Sequence, residues 1–304
     1  MKIVICICTY KRPRELGRLL LGINRMGFTM NEVPDVEIFV TDNSKLKEGA
    51  RICDEMRSEL KWPIRYCHEP KPGIAYARNK GLSLVGRDID FVAFIDDDEE
   101  PDFRWLDELL YVQKLYDADV VTGYVMRRFE EPAPSWIYEG GFFNARRYPT
   151  GYCVGWAGTN NSMVRKSIFD NKEFWFDERF ALSGGEDAHL FFELKRAGFK
   201  IVWADNAVVY DWVPPHRTTM RYLLMRRYSC ETINFRVGLP LKRKVFFILE
   251  IFKYLFLGFY LMVKSLFKGK SVFVSGGICL AIVAGRIAGL LGFPYLRYDR
   301  TAET

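Results

Sequence analysis

Three adjacent carboxylates, Asp96-Asp97-Asp98, close the apolar run Phe91–Ile95 and are the sharpest chemical feature of the chain. Like charges side by side repel, and a hard divalent cation shared with substrate phosphates is a common way to make such a cluster favourable. The run therefore points to a metal. Its structural alternative is an acidic turn that enters the next helix through Asp98-Glu99-Glu100-Pro101. A second group is Ser183-Gly184-Gly185-Glu186-Asp187. Ser183 and Glu186 have the S-x-x-E spacing of a capping box, with Ser183 as N-cap and Glu186 at the third helical position, which leaves Asp187 unassigned. A helix N-terminus holds a carboxylate as the anion, so Asp187 is expected to be ionised at neutral pH and able to take a proton from a hydroxyl. The plainer role for Asp187 is a charge that only complements the helix dipole. Neither usual glycine-rich phosphate cradle is present. No G-x-G-x-x-G follows the first strand, and Gly269-Lys270-Ser271 has Lys264 where a P-loop needs its upstream glycine. A bound nucleotide would depend on metal and side chains.

The elements that must carry these residues follow from periodicity. Ile3–Cys8, Val36–Thr41, Ile64–His68 and Phe91–Ile95 read as buried strands, and Arg14–Met26, Lys47–Leu60 and Gly73–Val85 as the helices between them, with Pro13 opening the first. Such β-α alternation predicts a parallel sheet with helices on both faces and binding residues at the carboxyl ends of its strands, where Thr9-Tyr10, Asp42-Asn43-Ser44 and Asp96-Asp97-Asp98 stand. Further on, a helix over Trp105–Tyr116 and a strand over Val120–Val125 precede an aromatic, proline-bearing stretch, Glu130–Gly155, which reads as a long loop. A helix opening near Ser183 and a strand over Lys200–Tyr210 complete this part.

The 304 residues are 49% hydrophobic and 15% aromatic, which excludes disorder, collagen and coiled coil. Seven cysteines with no C-x-x-C pair suggest neither a disulfide framework nor a zinc ribbon, and fit a reducing compartment. Met1–Cys8 has no cleavage site after it, so no signal peptide is expected. The net charge of +6 is local: from Asp211 to Lys244 there are eight basic residues (Arg217, Arg221, Arg226, Arg227, Arg236, Lys242, Arg243, Lys244) and two acidic ones. A basic block beside a hydrophobic tail suggests an anionic membrane surface or a phosphorylated lipid, and no nucleic acid. A solvated helix face is the alternative. In the tail, Glu250, Lys253 and Lys264 interrupt Val245–Phe267 as a polar stripe within about 60° on a helical wheel. Ser271–Gly285 is uncharged but short of the roughly 20 residues that cross a bilayer. Helices lying in the membrane interface are therefore expected, in preference to spans or buried helices.

Taken in order, Cys8-Thr9-Tyr10-Lys11-Arg12-Pro13, Thr41-Asp42-Asn43-Ser44, Gly73-Ile74-Ala75-Tyr76-Ala77-Arg78-Asn79, Phe94-Ile95-Asp96-Asp97-Asp98-Glu99, Gly158-Thr159-Asn160-Asn161 and Gly184-Gly185-Glu186-Asp187 resemble the family 2 glycosyltransferases of GT-A fold, and among them the bacterial succinoglycan-type glucosyltransferases. The resemblance covers residues 1–230. It implies an α/β GT-A domain there, Rossmann-like in its nucleotide-binding half with a mixed sheet, followed over 231–304 by a basic and hydrophobic, membrane-associating helical region.

It also implies roles. Thr9 and Tyr10 would line the uracil and ribose pocket, Asp42 would hydrogen-bond the base, and Arg78 would sit near the nucleotide. Asp96 would approach the ribose, with Arg12, Asn43 and Asp97 among the nucleotide-sugar contacts. Asp98 would bind Mn²⁺ or Mg²⁺ on the diphosphate, and Asp187 would be the general base of an inverting transfer. His189 stands where the family often has a second acid, and Tyr210-Asp211 where it often has a histidine. A further metal contact would then fall to His216, to Asp211 or to neither. On the acceptor side stand Asn160, Glu186 and Trp156, the last of three tryptophans (Trp136, Trp156, Trp212) that could stack on sugar rings or merely pack in the core. The reaction implied is transfer of a hexose, with UDP-glucose as donor, to a lipid-linked oligosaccharide at the cytoplasmic face of a bacterial inner membrane during surface polysaccharide assembly. A sugar nucleotidylyltransferase lacks support because its glycine-rich signature is absent. A membrane-bound scaffold retaining an inactive transferase domain is the non-enzymatic alternative, and intact Asp98 and Asp187 speak against it.

Overall fold

The computed structural model describes residues 1–234, 241–293 and 295–298, with backbone alone for 241–245 and 247. Arg236 lies outside the described residues, and Lys242, Arg243 and Lys244 of the basic block lie outside the described side chains. The first half alternates as the periodicity predicts: Lys2–Thr9 (β1), Pro13–Arg25 (α1), Asp35–Asp42 (β2), Glu48–Met56 (α2), Ile64–His68 (β3), Ile74–Ser83 (α3) and Phe91–Phe94 (β4). Strands β3, β2, β1 and β4 lie side by side and parallel. Successive residues of β1 feed opposite cores. Ile3, Ile5 and Ile7 pack with Leu16, Leu19, Leu20 and Ile23 of α1, whereas Val4 and Cys6 face Ala75 and Leu82 of α3. A strand covered on both faces reads as an unbroken apolar run, which is why Ile3–Ile7 shows no polar alternation.

The later elements are Glu99–Pro101 (β5), Trp105–Tyr116 (α4), Val120–Phe129 (β6), Ser135–Glu139 (α5), Ser162–Arg165 (β7), Glu186–Arg196 (α6), Ile201–Val213 (β8), Met220–Asn234 (α7), Leu241–Lys268 (α8) and Lys270–Leu290 (α9). Strand β7 joins β4 antiparallel, and the full sheet runs β3-β2-β1-β4-β7-β6-β8-β5. The order reverses at β1, with β2 on one side and β4 on the other, so the loops after β1 and β4 flank a crevice at a topological switch point.

Three expectations need correction. Strand β6 continues to Phe129, and the stretch that follows is not structureless, because Ser135–Glu139 is helical and places Trp136 and Ile137 in a small core with Leu223 and Val274. Trp136 is thereby removed as a stacking face. The capping box is not formed: Gly185, at φ 90°, is the N-cap of α6 without a side-chain hydrogen bond, and the Ser183 hydroxyl donates to the Gly184 carbonyl at 3.1 Å. The segment judged too short to span is part of a 21-residue helix, α9, that continues past Arg286 to Leu290 because Arg286 is buried and ion-paired.

The chain forms two units. One comprises 1–126, 145–212 and 298–304, and the other 127–144 and 213–297. The second unit resumes at Val213, within the 1–230 stretch that carries the motifs. Helix α7 belongs with α9, against which it packs so closely that a Cβ on Gly285 would stand 2.6 Å from the Tyr228 carbonyl oxygen.

Candidate active site

The crevice is built by side chains from both flanking loops. After β1, the Thr9 hydroxyl donates to Asp97 Oδ2 at 2.9 Å, and the Tyr10 amide reaches the same oxygen at 3.4 Å. Arg12 Nη1 lies 2.8 Å from Asp97 Oδ1 and 3.0 Å from Asp98 Oδ2, so one guanidinium bridges two of the three aspartates. Burial pushes the Asp97 carboxyl up to about 7, aided by Asp98 and opposed by Arg12 and Thr9. Asp96 points to the other side. Its Oδ1 meets Arg78 Nη2 at 3.3 Å, and its amide donates to Glu99 Oε2 at 3.0 Å.

Glu99 was not among the residues singled out from the sequence, yet it is a hub of the site. It is 2% exposed, it accepts from Asn160 Nδ2 at 3.3 Å through its other oxygen, and in the β5–β8 pairing it lies opposite Asp211. Burial, then the charges of Asp96, Asp98 and Asp211, hold its carboxyl well above the usual range. Its signal in the sequence was its place directly after the aspartate run, where it reads as the start of a helix.

The loop after β2 is shaped by Asp42 and Asn43. Asp42 is fully buried, with Oδ1 accepting from the Ser44 amide at 2.8 Å and Oδ2 from the Gly49 amide at 2.8 Å and the Tyr66 hydroxyl at 3.3 Å. Asn43 donates to the carbonyls of Glu69 and Lys71 and accepts from the Gly73 amide at 2.9 Å. As they stand, both side chains build the wall of the crevice and present no free edge to a base. Gly73 has φ 136°, and a Cβ there would stand 2.8 Å from Ala181 Cβ, so the turn that starts α3 requires glycine. That turn aims Arg78, 8% exposed, back under the crevice.

Arg78 connects the aspartates to α6. Its Nη2 faces Asp96 and its Nε lies 3.1 Å from Glu186 Oε1. Glu186, expected on the acceptor side, is instead 3% exposed and turned inward on this arginine, because the glycine-capped start of α6 leaves its side chain no capping role. Burial first, then the Asp187 charge, pushes its carboxyl up to about 7 against the pull of Arg78. Its Oε2 has no hydrogen-bond partner. Asp187 is half-buried, with Oδ1 accepting from the Ala188 amide at 2.7 Å, and its Oδ2 lies 3.8 Å from where a Cβ on Gly158 would stand. Gly158 and Asn160 thus border the proposed base. Trp156 is 49% exposed and tilted against Trp203 at 6.0 Å, the one of the three candidate tryptophans with an open face. Trp212 is covered by Arg18 and donates to Glu100 Oε2 at 3.2 Å.

Four acids, Asp96, Asp98, Glu99 and Asp211, are set against Arg12 and Arg78. This excess of hard oxygen donors, visible in the raised Asp96 and Glu99 carboxyls, fits a divalent cation in chemistry and charge. Among the described residues no three His, Cys, Asp or Glu side chains converge on one metal position. If a cation binds here, the protein would supply one or two carboxylates, and the rest of the shell would come from other oxygen donors. Asp211 adjoins the acids through Glu99, whereas His216 is an exposed residue of the second unit.

Residues 4–171 match the sequence profile described as Glycosyl transferase family 2. The chain belongs to glycosyltransferase family 2. A relative, the succinoglycan biosynthesis protein ExoM of Rhizobium meliloti (strain 1021), is 30% identical over 234 residues, covering 75% of this chain and 72% of ExoM. Crystal structures of residues 1–349 of S. aureus TarS share the fold: the UDP-GlcNAc complex at TM-score 0.54 and 14% identity, and the UDP complex at 0.52 and 15%, each covering 98% of this chain and 94% of TarS 1–349. The expected GT-A architecture and glycosyltransferase activity therefore stand for this family 2 enzyme.

Proposed function

We propose that this glycosyltransferase moves a hexose from a UDP-sugar, with UDP-glucose the first donor to test, onto a lipid-linked saccharide in bacterial surface polysaccharide synthesis. The ExoM relationship supports the pathway class, and the UDP and UDP-GlcNAc complexes of TarS support the nucleotide. The enzyme works at the cytoplasmic face of the inner membrane, attached through its C-terminal helices.

The observation that carries the reading is the chain of contacts Arg12–Asp97/Asp98 and Asp96–Arg78–Glu186, which joins the loop after β4 to the start of α6, where Asp187 is held. Thr9, Tyr10 and Arg78 line the nucleotide side. Asp98, with Asp96 or Asp211 beside it, would hold Mn²⁺ or Mg²⁺, which when bound neutralises charge developing on the diphosphate. Asp187 takes the proton of the acceptor hydroxyl as its oxygen attacks the anomeric carbon. The bond from that carbon to the diphosphate oxygen breaks with its electron pair leaving on UDP. One displacement inverts the configuration and needs no covalent sugar-enzyme intermediate.

The test is titration of the purified chain with UDP, with and without Mn²⁺, alongside transfer from UDP-sugars to extracted lipid-linked saccharides. Metal-dependent UDP binding lost in Asp98→Ala, with Asp187→Asn binding UDP within about threefold but losing at least ~10²-fold in turnover, is expected. UDP binding absent under every condition would sink the reading.

A further inference from the structure

Helices α8 and α9 contribute in the opposite sense to their hydropathy. Among the described helices α9 alone is long and apolar enough to cross a bilayer, with mean hydropathy 1.9 over its best window. Yet α9 turns one face into its unit, with 39% of its most apolar window buried. Val274, Gly276, Cys279, Ile282, Val283, Gly285 and Arg286 are buried. A Cβ on Gly276 would stand 2.9 Å from the Gly258 carbonyl oxygen of α8, so the close approach of the two helices needs glycine at 276. Arg286, 3% exposed, donates to Glu231 Oε2 of α7 at 3.0 Å and to Glu250 Oε2 of α8 at 3.2 Å. A guanidinium clasped from both sides fixes which face of α9 points inward.

Helix α8 is the reverse. Phe252, Phe256, Phe259, Val263, Leu266 and Phe267 are between 57% and 85% exposed. At about 100° per residue these six fall within about 100° of arc, and Gly258, which is buried, lies on the opposite side. Lys253, Lys264 and Lys268 follow on one edge of that arc, spread over about 60°. The acid on the same edge, Glu250, is already held by Arg286 and by Lys253 at 3.8 Å, so the edge offers no acid for the lysines of a second copy. An apolar face about 22 Å long with ammonium groups along one margin matches the boundary between acyl chains and anionic headgroups, where lysine stems lie along apolar surface and their charges reach the phosphates.

We propose that α8 lies in the plane of an anionic lipid surface through this face, and that α9 is a strut of its unit that does not cross the bilayer. This rests on the membrane-attached reading above and specifies it.

The test uses the full chain and vesicles of phosphatidylcholine with or without about 30% phosphatidylglycerol. Phe256→Ser/Phe259→Ser/Phe267→Ser is expected to lower the vesicle-bound fraction about tenfold or more, and Phe273→Ser/Ile287→Ser on α9 to leave it within about twofold. In a chain lacking the exposed Cys153 and Cys230, Lys270→Cys and Leu290→Cys should both react with a membrane-impermeant maleimide from one side of inner-membrane vesicles. Labelling from opposite sides means a span and overturns the proposal. Loss of binding in the α9 variant alone, or self-association through α8 without lipid binding, overturns it as well. UDP titration of each variant stays unchanged in all cases, so a failure here is distinct from failure of the catalytic reading.

Discussion

Arg78 stands between Asp96 and Glu186, and its charge offsets only part of what surrounds it. Glu186, pushed up to about 7 by burial and by Asp187, holds a proton in the folded chain over a range where the unfolded chain has already lost it. The native state therefore binds more protons between about pH 4.5 and 7, and the contribution present at low pH disappears as pH rises through that window. Glu186→Gln, which keeps the side chain neutral at every pH, should shallow the decline between about pH 4.5 and 7. Denaturation midpoints measured across that range check it, and an unchanged slope would show that Glu186 is not the titrating group. At this scale the sequence was informative about identity and silent about direction. Asp96, Asp97, Asp98 and Asp187 were recognisable as chemistry, but that Asp97 faces Arg12 while Asp96 faces Arg78 depends on which loops meet, which spacing alone does not encode.

At the scale of elements, periodicity was a good guide where both faces of a segment are packed. Strand β3 and helix α4 have the predicted limits, and the strands and helices around β1 differ only at their ends. It was a poor guide where glycine or ion pairing overrides local pattern. Gly185 displaced Ser183 as the cap of α6 because a left-handed residue directly before Glu186 starts the helix without a hydroxyl. Arg286 ends the uncharged run that reads as too short to cross a bilayer, because a lone charge in an apolar run is costly to bury, and the partners that make it tolerable lie 55 and 36 residues away. Replacing it should expose that dependence. Arg286→Leu leaves Glu231 buried with Arg227 alone at 2.9 Å, and should cost about 3 kcal/mol. A melting temperature in mild detergent measures it; a shift within error would mean that the clasp is dispensable.

Across the whole molecule, the two units are not consecutive in the chain. The second is made of 127–144 and 213–297, and the chain returns to the first at Tyr298. A cut at 230, where the sequence motifs run out, falls inside α7 and removes α9, including Val274, from the core that holds Trp136, Ile137 and Leu223. The fragment 1–230 should therefore bind hydrophobic dye and give a lower soluble yield than the full chain, even though every family motif lies within it. A fragment as soluble and as cooperatively unfolding as the full protein would show the second unit to be dispensable. This boundary was not legible because motif content marks chemistry, whereas the limits of a folding unit are set by contacts such as Gly285 on Tyr228.

The return of the chain has a practical side. The Tyr298 amide donates to the Leu182 carbonyl at 2.7 Å, and its ring lies 3.1 Å from where a Cβ on Gly184 would stand, two residues ahead of Glu186. A purification handle or fluorescent fusion joined after Thr304 hangs six residues beyond this brace. Inactivity in such a preparation calls for the same assay with the handle at the amino end before it is read as absent chemistry. Handles belong at the amino end, and Tyr298→Ala is the control that tells a mechanical loss from a chemical one.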